Sequence, residues 1–553
     1  MKQRVWKKTV ALLIAMVMLV SLTACGNSGT EKDGEKPTAG GNHTTQDNTE
    51  KTDLPEGQQE GDAASAGGEK ESVTIGVTGV WATLSPYQTT LNQFGNFVRL
   101  LYDRLAYLTP EGEYVPQAAK SWEIEEDGIT WNVEIYDTIY DSAGNHITAS
   151  DIVWNLEENM AQALKPFFNK IESVEQTGDY TLKIVMKNNV VGAFELVLIS
   201  TYAVSQKAYE DSADGFATSV ISTSPYKVTE FVAGSHLTFE KRDDYWKTDA
   251  NSPYLQNNVK TVTYQVINEA SQQQIALETG TVDAFESLTP SLVRDFESNN
   301  NFSIAGAPSS NGSQMFFSGH ESRPVANDVN LRLAICYAID VEGLIASCYD
   351  GYAEPMHDPA VNTLVGYLSK WDSEEYYGYN VELAKQYLEK SDYKGQTLEL
   401  MQSSGTQGER VAQMIQGYLM AIGIDCKLTI LDSALFSASR FDGSQYDMIM
   451  IAGGGVTLPA FWGNRFDMNA YELGDGTSRH DEVLTQMLYD TWVYDGFTEE
   501  NIDAIHQYLL ENCIAYGLVN TTINNVYNNS LGLTKTWMGY SGTVDYVASE
   551  YEA

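Results

Sequence analysis

Basic residues are scarce in this chain: 34 lysines and arginines stand against 75 aspartates and glutamates, a formal charge of −41. Such a surface repels phosphate backbones and anionic headgroups, which sets nucleic acid aside as a partner and reads first as solubility outside the cell. Cysteine is scarcer still, with 5 in 553 residues, no CxxC pair and no metal-type spacing, so neither a disulfide framework nor a thiolate metal site is expected. Cys426, within an alternating run, reads as a small buried hydrophobe. The 7 histidines form no HExxH, His320 and His357 read as surface or loop residues, and the folded part has no GxSxG elbow, Walker loop or dinucleotide fingerprint. No enzyme chemistry and no cofactor are therefore expected, although a secreted glycoside hydrolase, which needs only two carboxylates, stays open. The apolar run Val10 to Leu22 is too short for a comfortable membrane span.

That run follows Lys2, Arg4, Lys7 and Lys8 and ends in Leu22-Thr23-Ala24-Cys25, the layout of an export signal. The last four residues resemble a bacterial lipoprotein box. The resemblance implies a signal peptide over 1–24 and a lipid (palmitate-type) on Cys25, anchoring the chain through more than one acyl chain to the outer face of the cell membrane. Residues 25–71 are Gly, Ser, Thr, Asn and acids with almost nothing to bury, and read as a flexible tether.

Hydrophobic residues make up 43% of the chain and suit a large globular body. Ser72 to Val77 alternates as a strand, and helical periodicity covers Asn92 to Tyr107. Ser121–Glu125 and Thr130–Ile135 are alternating runs joined across Asp127-Gly128, the pattern of a β-hairpin. Thr148 is placed to cap a helix carrying Ile152, Val153, Leu156 and Met160, and Leu331, Ala334, Ile335, Ala338 and Ile339 form the buried face of another. Further on, strand 397–401, helix 409–422 closed by Gly423, strand 424–430, helix 433–440 and the apolar strand 446–451 alternate, which predicts a parallel α/β sheet.

In such a sheet a ligand binds beyond the carboxyl ends of strands. The apolar strand runs into Gly453, Gly454, Gly455 and Thr457, where missing side chains would open the backbone to a ligand, and then into Phe461 and Trp462 as an apolar wall. Trp81, Phe285, Phe316 and Phe317 also fall at strand ends or just after them. On this reading Trp462 borders a cleft and its loss costs ligand affinity rather than stability.

Several stretches resemble one family. They are Ala118–Glu123 with Gly128–Trp131, on through Asp141 and Gly144 to Thr148–Val153; Ser222–Tyr226 followed by Phe239–Trp246; and Asn327–Ala334, Tyr337–Asp340 and Gly351–Pro355. Together they are similar to the extracellular solute-binding proteins of peptide- and nickel-type ABC importers, solute-binding family 5, over nearly the whole mature chain. The resemblance implies a two-lobed α/β fold of the periplasmic-binding-protein type II class, with an extra subdomain in the first lobe. It implies lobe 1 over 72–307 with a subdomain at about 116–196, lobe 2 over 308–520, a return to lobe 1 over 521–553, and crossings near Ala307 and Asn520. It implies a monomer that captures a small solute, foremost an oligopeptide, and hands it to ABC permease subunits. Trp81, Phe285, Glu286, Phe316, Phe317, Arg440 and Gly453 to Thr457 look like the cleft lining. Peptide binders of this family often carry an aspartate just after the strand matching 446–451 to pair with the α-ammonium. Here that loop has no acid, so Glu286 is the candidate partner. An oligosaccharide ligand of the same fold, a nickel chelate and a surface-sensor role stay open.

Overall fold

The computed structural model describes residues 68–79, 82–88, 97–162, 166–248, 252–467 and 481–552. Trp81, Cys25, the signal peptide and nearly all of the tether lie outside the described residues. Two lobes share one large sheet. In the first, strand Lys70–Val77 lies parallel to Val259–Val266 on one side and to Ala284–Phe285 on the other, and His236–Lys241 and Tyr226–Val232 extend it antiparallel. In the second, Leu398–Ser403 lies parallel to both Cys426–Leu431 and Met448–Gly454, with helices Thr406–Ala421 and Ser433–Ser439 in the connections. This is the alternation expected from the sequence, and Gly423 adopts φ 95° at the helix end as a left-handed cap requires.

Two long strands join the lobes. Phe302–Phe317 and Ala515–Asn528 run antiparallel from Phe302↔Asn528 to Pro308↔Thr522, lose register, and resume from Gly312↔Asn520 to Phe316↔Ala515 with a second shift between Ser313 and Gln314. Proline cannot donate a ladder hydrogen bond, and the break falls beside Pro308. In the second lobe apolar side chains of these strands alternate into cores on both faces: Met315 and Phe317 pack under helix Val329–Ala338, and Phe316 packs on the opposite side with Ile449, Phe461 and Trp462. Leu331, Ala334, Ile335, Ala338 and Ile339 are all buried, as their spacing predicts.

A separate four-stranded antiparallel sheet, in the order Ala119–Ile124, Thr130–Ile135, Thr181–Met186 and Ile171–Gln176, shares a core with helices Ala149–Gln162 and Ala193–Ser200. Its first two strands are the expected hairpin: the Asp127 carboxylate accepts from the N–H groups of Ile129 and Thr130 at 3.0 and 2.9 Å, and Gly128 takes φ 71°. Thr148 stands just before helix Ala149–Gln162, the cap position expected of it. The Asp151 carboxylate reaches back to accept from the Thr148 N–H at 2.9 Å and from its hydroxyl at 3.1 Å, the return half of a capping box. Of the run expected to be helical, residues 92–96 lie outside the described residues; among the described ones Val98–Leu101 is helical and Ala106–Leu108 pairs as a strand with Tyr114–Pro116, so the run to Tyr107 is cut short.

The apolar strand also runs farther than its composition suggests. Gly453 and Gly454 stay in the ladder, opposite Gly312 and Asn311. A Cβ on Gly454 would sit 1.6 Å from the Ser310 carbonyl oxygen, whereas one on Gly455 would meet nothing closer than Leu364 Cδ2 at 3.7 Å. Gly454→Ala is therefore expected to cost about 1–3 kcal/mol in urea unfolding, while Gly455→Ala shifts stability by less than about 0.5 kcal/mol.

Candidate functional site

The parallel strands of the first lobe end together at Val77, Val266 and Phe285. Glu286 comes next. Its N–H donates to the Gly76 carbonyl at 3.0 Å, and Ser287 turns the chain away at φ 58°, a left-handed angle uncommon for a residue with a side chain. Because Phe285 pairs with Val526, Glu286 shares the opposite sheet face with the cross-strand neighbour Asn525. Glu286 is 9% exposed, and its Oε1, the Asn525 Oδ1 and the Tyr546 hydroxyl are all buried without a hydrogen-bond partner. Burial, and then the charge of Asp545, push the Glu286 carboxyl up to about 8. Asp103 makes a useful contrast. Burial raises it to about 7, yet its oxygens accept from Gln117 Nε2, Tyr245 Oη and Trp246 Nε1 at 2.9, 3.1 and 2.7 Å. A buried acid with its acceptors filled is structural, whereas Glu286 has an empty one.

The segment over Glu286 also touches the second lobe. Tyr540 Oη donates to the Gly455 and Val456 carbonyls, both at 3.2 Å, and Asn525 Nδ2 donates to the Gly542 carbonyl at 3.1 Å. This places Glu286 and the end of the glycine strand on opposite sides of the crossing strands. On the second-lobe side the Arg465 guanidinium lies 5.4 Å from the Phe316 ring centre and 5.7 Å from that of Phe461. It also borders Gly453, where a Cβ would come within 2.7 Å of Nη2. Burial, reinforced by the charge of Arg440, lowers its pKa to about 10. Arg440 caps helix Ser433–Ser439, half-exposed, with its guanidinium 4.8 Å from the Phe441 ring centre. An acid, Glu286, thus stands on the first lobe and two arginines, Arg440 and Arg465, on the second.

The subdomain of the first lobe also meets the second. Tyr494 Oη donates to both oxygens of Glu195 at 3.0 Å, the Val191 N–H donates to the Trp492 carbonyl at 2.6 Å, and Thr457 Cγ2 packs against Gly192. Burial raises the Glu195 carboxyl, the direction expected of an acid enclosed by this contact.

Several expected lining residues are core residues instead. Phe285 is fully buried, with its ring against Gly76, and packs with Leu277, Val293 and Val526. Phe316, Phe317, Phe461 and Trp462 are enclosed by the two second-lobe cores. Trp462 Nε1 donates to the buried Asp358 carboxylate at 3.3 Å, so it is not a cleft wall. The space left by Gly453 and Gly454 is filled by Arg465 and the Ser310 backbone rather than left for a ligand. Thr457 is buried as the cap of helix Leu458–Phe466, and Gly455 borders Leu364. Of the expected lining residues that are described, Glu286 keeps a buried oxygen without a hydrogen-bond partner and Arg440 is half-exposed. Sequence reasoning missed Asn525, Tyr546, Tyr540 and Arg465, although Arg465 follows Phe461 by one helical turn, the spacing that puts both on one face.

Residues 113–469 match the model of the bacterial extracellular solute-binding proteins, family 5, middle region. The chain belongs to this family. Its members bind solutes outside the cytoplasm for ABC importers, and among the described residues no helix is long and apolar enough to cross a membrane. The chain is 24% identical over 375 residues to the glutathione-binding protein GsiB of Pectobacterium atrosepticum, covering 66% of this chain and 70% of that one. It is 23% identical over 482 residues to the oligopeptide-binding protein AppA of Bacillus subtilis, covering 82% of each. The structure of AppA in complex with a nonapeptide superposes with a TM-score of 0.66 at 17% identity, covering 88% of this chain and 100% of that one. These likenesses place the family 5 solute-binding protein in the two-lobed α/β fold.

Proposed function

We propose that this solute-binding protein captures a short zwitterionic peptide between its lobes, pairing the ligand ammonium with Glu286 and its carboxylate with Arg440 and Arg465, and delivers it unchanged to a membrane permease. The observation that carries the reading is the unfilled, nine-tenths-buried Glu286 carboxylate beside the empty acceptors of Asn525 and Tyr546. A primary ammonium brings three donors to such a set. The oligopeptide- and glutathione-binding names of AppA and GsiB support the peptide class. The register break at Pro308–Gly312 opposite Asn520–Thr522 is the proposed hinge, and the Tyr494–Glu195 contact closes with it. Cys25 carries the lipid, residues 25–69 keep the monomeric body near its permease, and the protein is no enzyme.

The sign of the Glu286 shift gives the test. A carboxyl raised from 4.5 to about 8 holds its proton in the fold but loses it in the unfolded chain, so it makes stability fall as pH rises from about 4.5 to 8. Glu286→Gln is expected to remove that slope. At pH 7 the free protein is largely protonated there, and pairing with an ammonium expels the proton. Titration calorimetry of trialanine in two buffers of different ionisation enthalpy should show proton release, and Glu286→Gln should abolish the release and weaken binding about 30-fold or more. N-acetylated trialanine binding as tightly as the free peptide, or proton release unaltered in the variant, would refute the pairing.

A further inference from the structure

We infer that Cys336 and Cys513 are joined by a disulfide in the exported protein. Their sulfur atoms lie 3.4 Å apart, and both side chains are fully buried. Disulfide bonding needs a separation of about 2.05 Å, an approach of roughly 1.4 Å that side-chain rotation and small backbone adjustment supply. Cys336 sits on helix Val329–Ala338. Cys513 follows helix Glu499–Glu511 and stands just before the crossing strand Ala515–Asn528. Arg332, one turn before Cys336, fixes this approach: its Nε donates to the Cys513 carbonyl and its Nη2 to the Asn512 carbonyl, both at 2.9 Å. Cys513 takes φ 45°, a left-handed turn that brings its side chain back onto the helix. The remaining described thiols are placed differently. Cys348 Sγ meets Met414 Sδ at 3.4 Å, and Cys426 stands in the edge strand Cys426–Leu431.

Proteins of this family work outside the cytoplasm, where such pairs persist. The oxidant is a disulfide-bearing thiol oxidoreductase or small-molecule disulfide of that compartment. One cysteine thiolate attacks a sulfur of the oxidant, forms a mixed disulfide and expels one thiolate. The second cysteine thiolate then attacks the first cysteine's sulfur, closes the Cys336–Cys513 bond and expels the other. Two protein thiols lose two protons and two electrons, and the oxidant's disulfide becomes two thiols. Burial raises the Cys336 thiol in the finished fold. The link spans 177 residues of sequence, most of the second lobe, and ties the start of the crossing strand to the helix that follows its partner strand.

The test is a peptide map of the mature protein purified without reductant, denatured in excess iodoacetamide and digested. The expected result is one cross-linked pair containing Cys336 and Cys513, two hydrogen atoms lighter than the sum of its peptides and lost on reduction, with Cys348 and Cys426 alkylated. The same protein, reduced under denaturing conditions and refolded and melted in the presence of reductant, should melt roughly 5–10 °C lower. Recovery of Cys336 and Cys513 as alkylated peptides without reductant would overturn the bond.

Discussion

Replacing Arg99 by leucine should destabilise the protein by about 3–5 kcal/mol, read as a lower urea midpoint at unchanged slope. Arg99 and Asp545 are both enclosed, and Arg99 Nη2 donates to Asp545 Oδ1 at 2.9 Å. The same carboxylate oxygen accepts from the N–H groups of Val547 and Ala548 at 3.0 and 3.1 Å, so the pair ties the C-terminal segment onto the first lobe. Arg99 also reaches the Gln256 carbonyl and Asn257 Oδ1, both at 3.2 Å. Without the guanidinium, Asp545 is a buried carboxylate facing a second acid, since its charge already acts on Glu286. The loss should spread to the site, because Tyr540 and Tyr546 ride on the same segment. A cost below about 1 kcal/mol, the value of an exposed ion pair, would show that the segment is held by packing alone.

The second large effect is Trp462→Ala, expected to cost about 3–5 kcal/mol while leaving ligand affinity of the folded fraction unchanged. Trp462 is 1% exposed, packs 6.2 Å from the Trp371 ring and bonds to Asp358, whose other oxygen contacts His506 Nδ1 at 2.8 Å. Removing it leaves a void and takes a donor from a buried carboxylate. Glu286→Gln should behave in the opposite way, weakening the ligand while stabilising the free protein. A stable Trp462→Ala variant with lost affinity would return Trp462 to the cleft.

Periodicity carried most of the fold. The hairpin at Asp127-Gly128, the buried face of helix Val329–Ala338 and the parallel strands around Leu398–Ser403 each follow from spacing that only one secondary structure can bury. The site was harder to read because aromatic residues and glycines at strand ends serve two purposes. Phe285 and Phe317 fill core, and Gly454 admits the Ser310 carbonyl, and nothing local separates these uses from ligand contact. What distinguishes a site residue is an unfilled partner, and that depends on the whole fold. Glu286 is notable only once Asn525 and Tyr546, distant in sequence, are seen around it with their own acceptors empty.

Native mass spectrometry of the mature protein with a mixture of di- to tetrapeptides, followed by denaturation and weighing of what is released, tests the central claim most directly. Capture without chemistry predicts a one-to-one adduct whose released ligand has the mass of an added peptide. Shortened peptides, or no adduct while an oligosaccharide mixture binds, would contradict it.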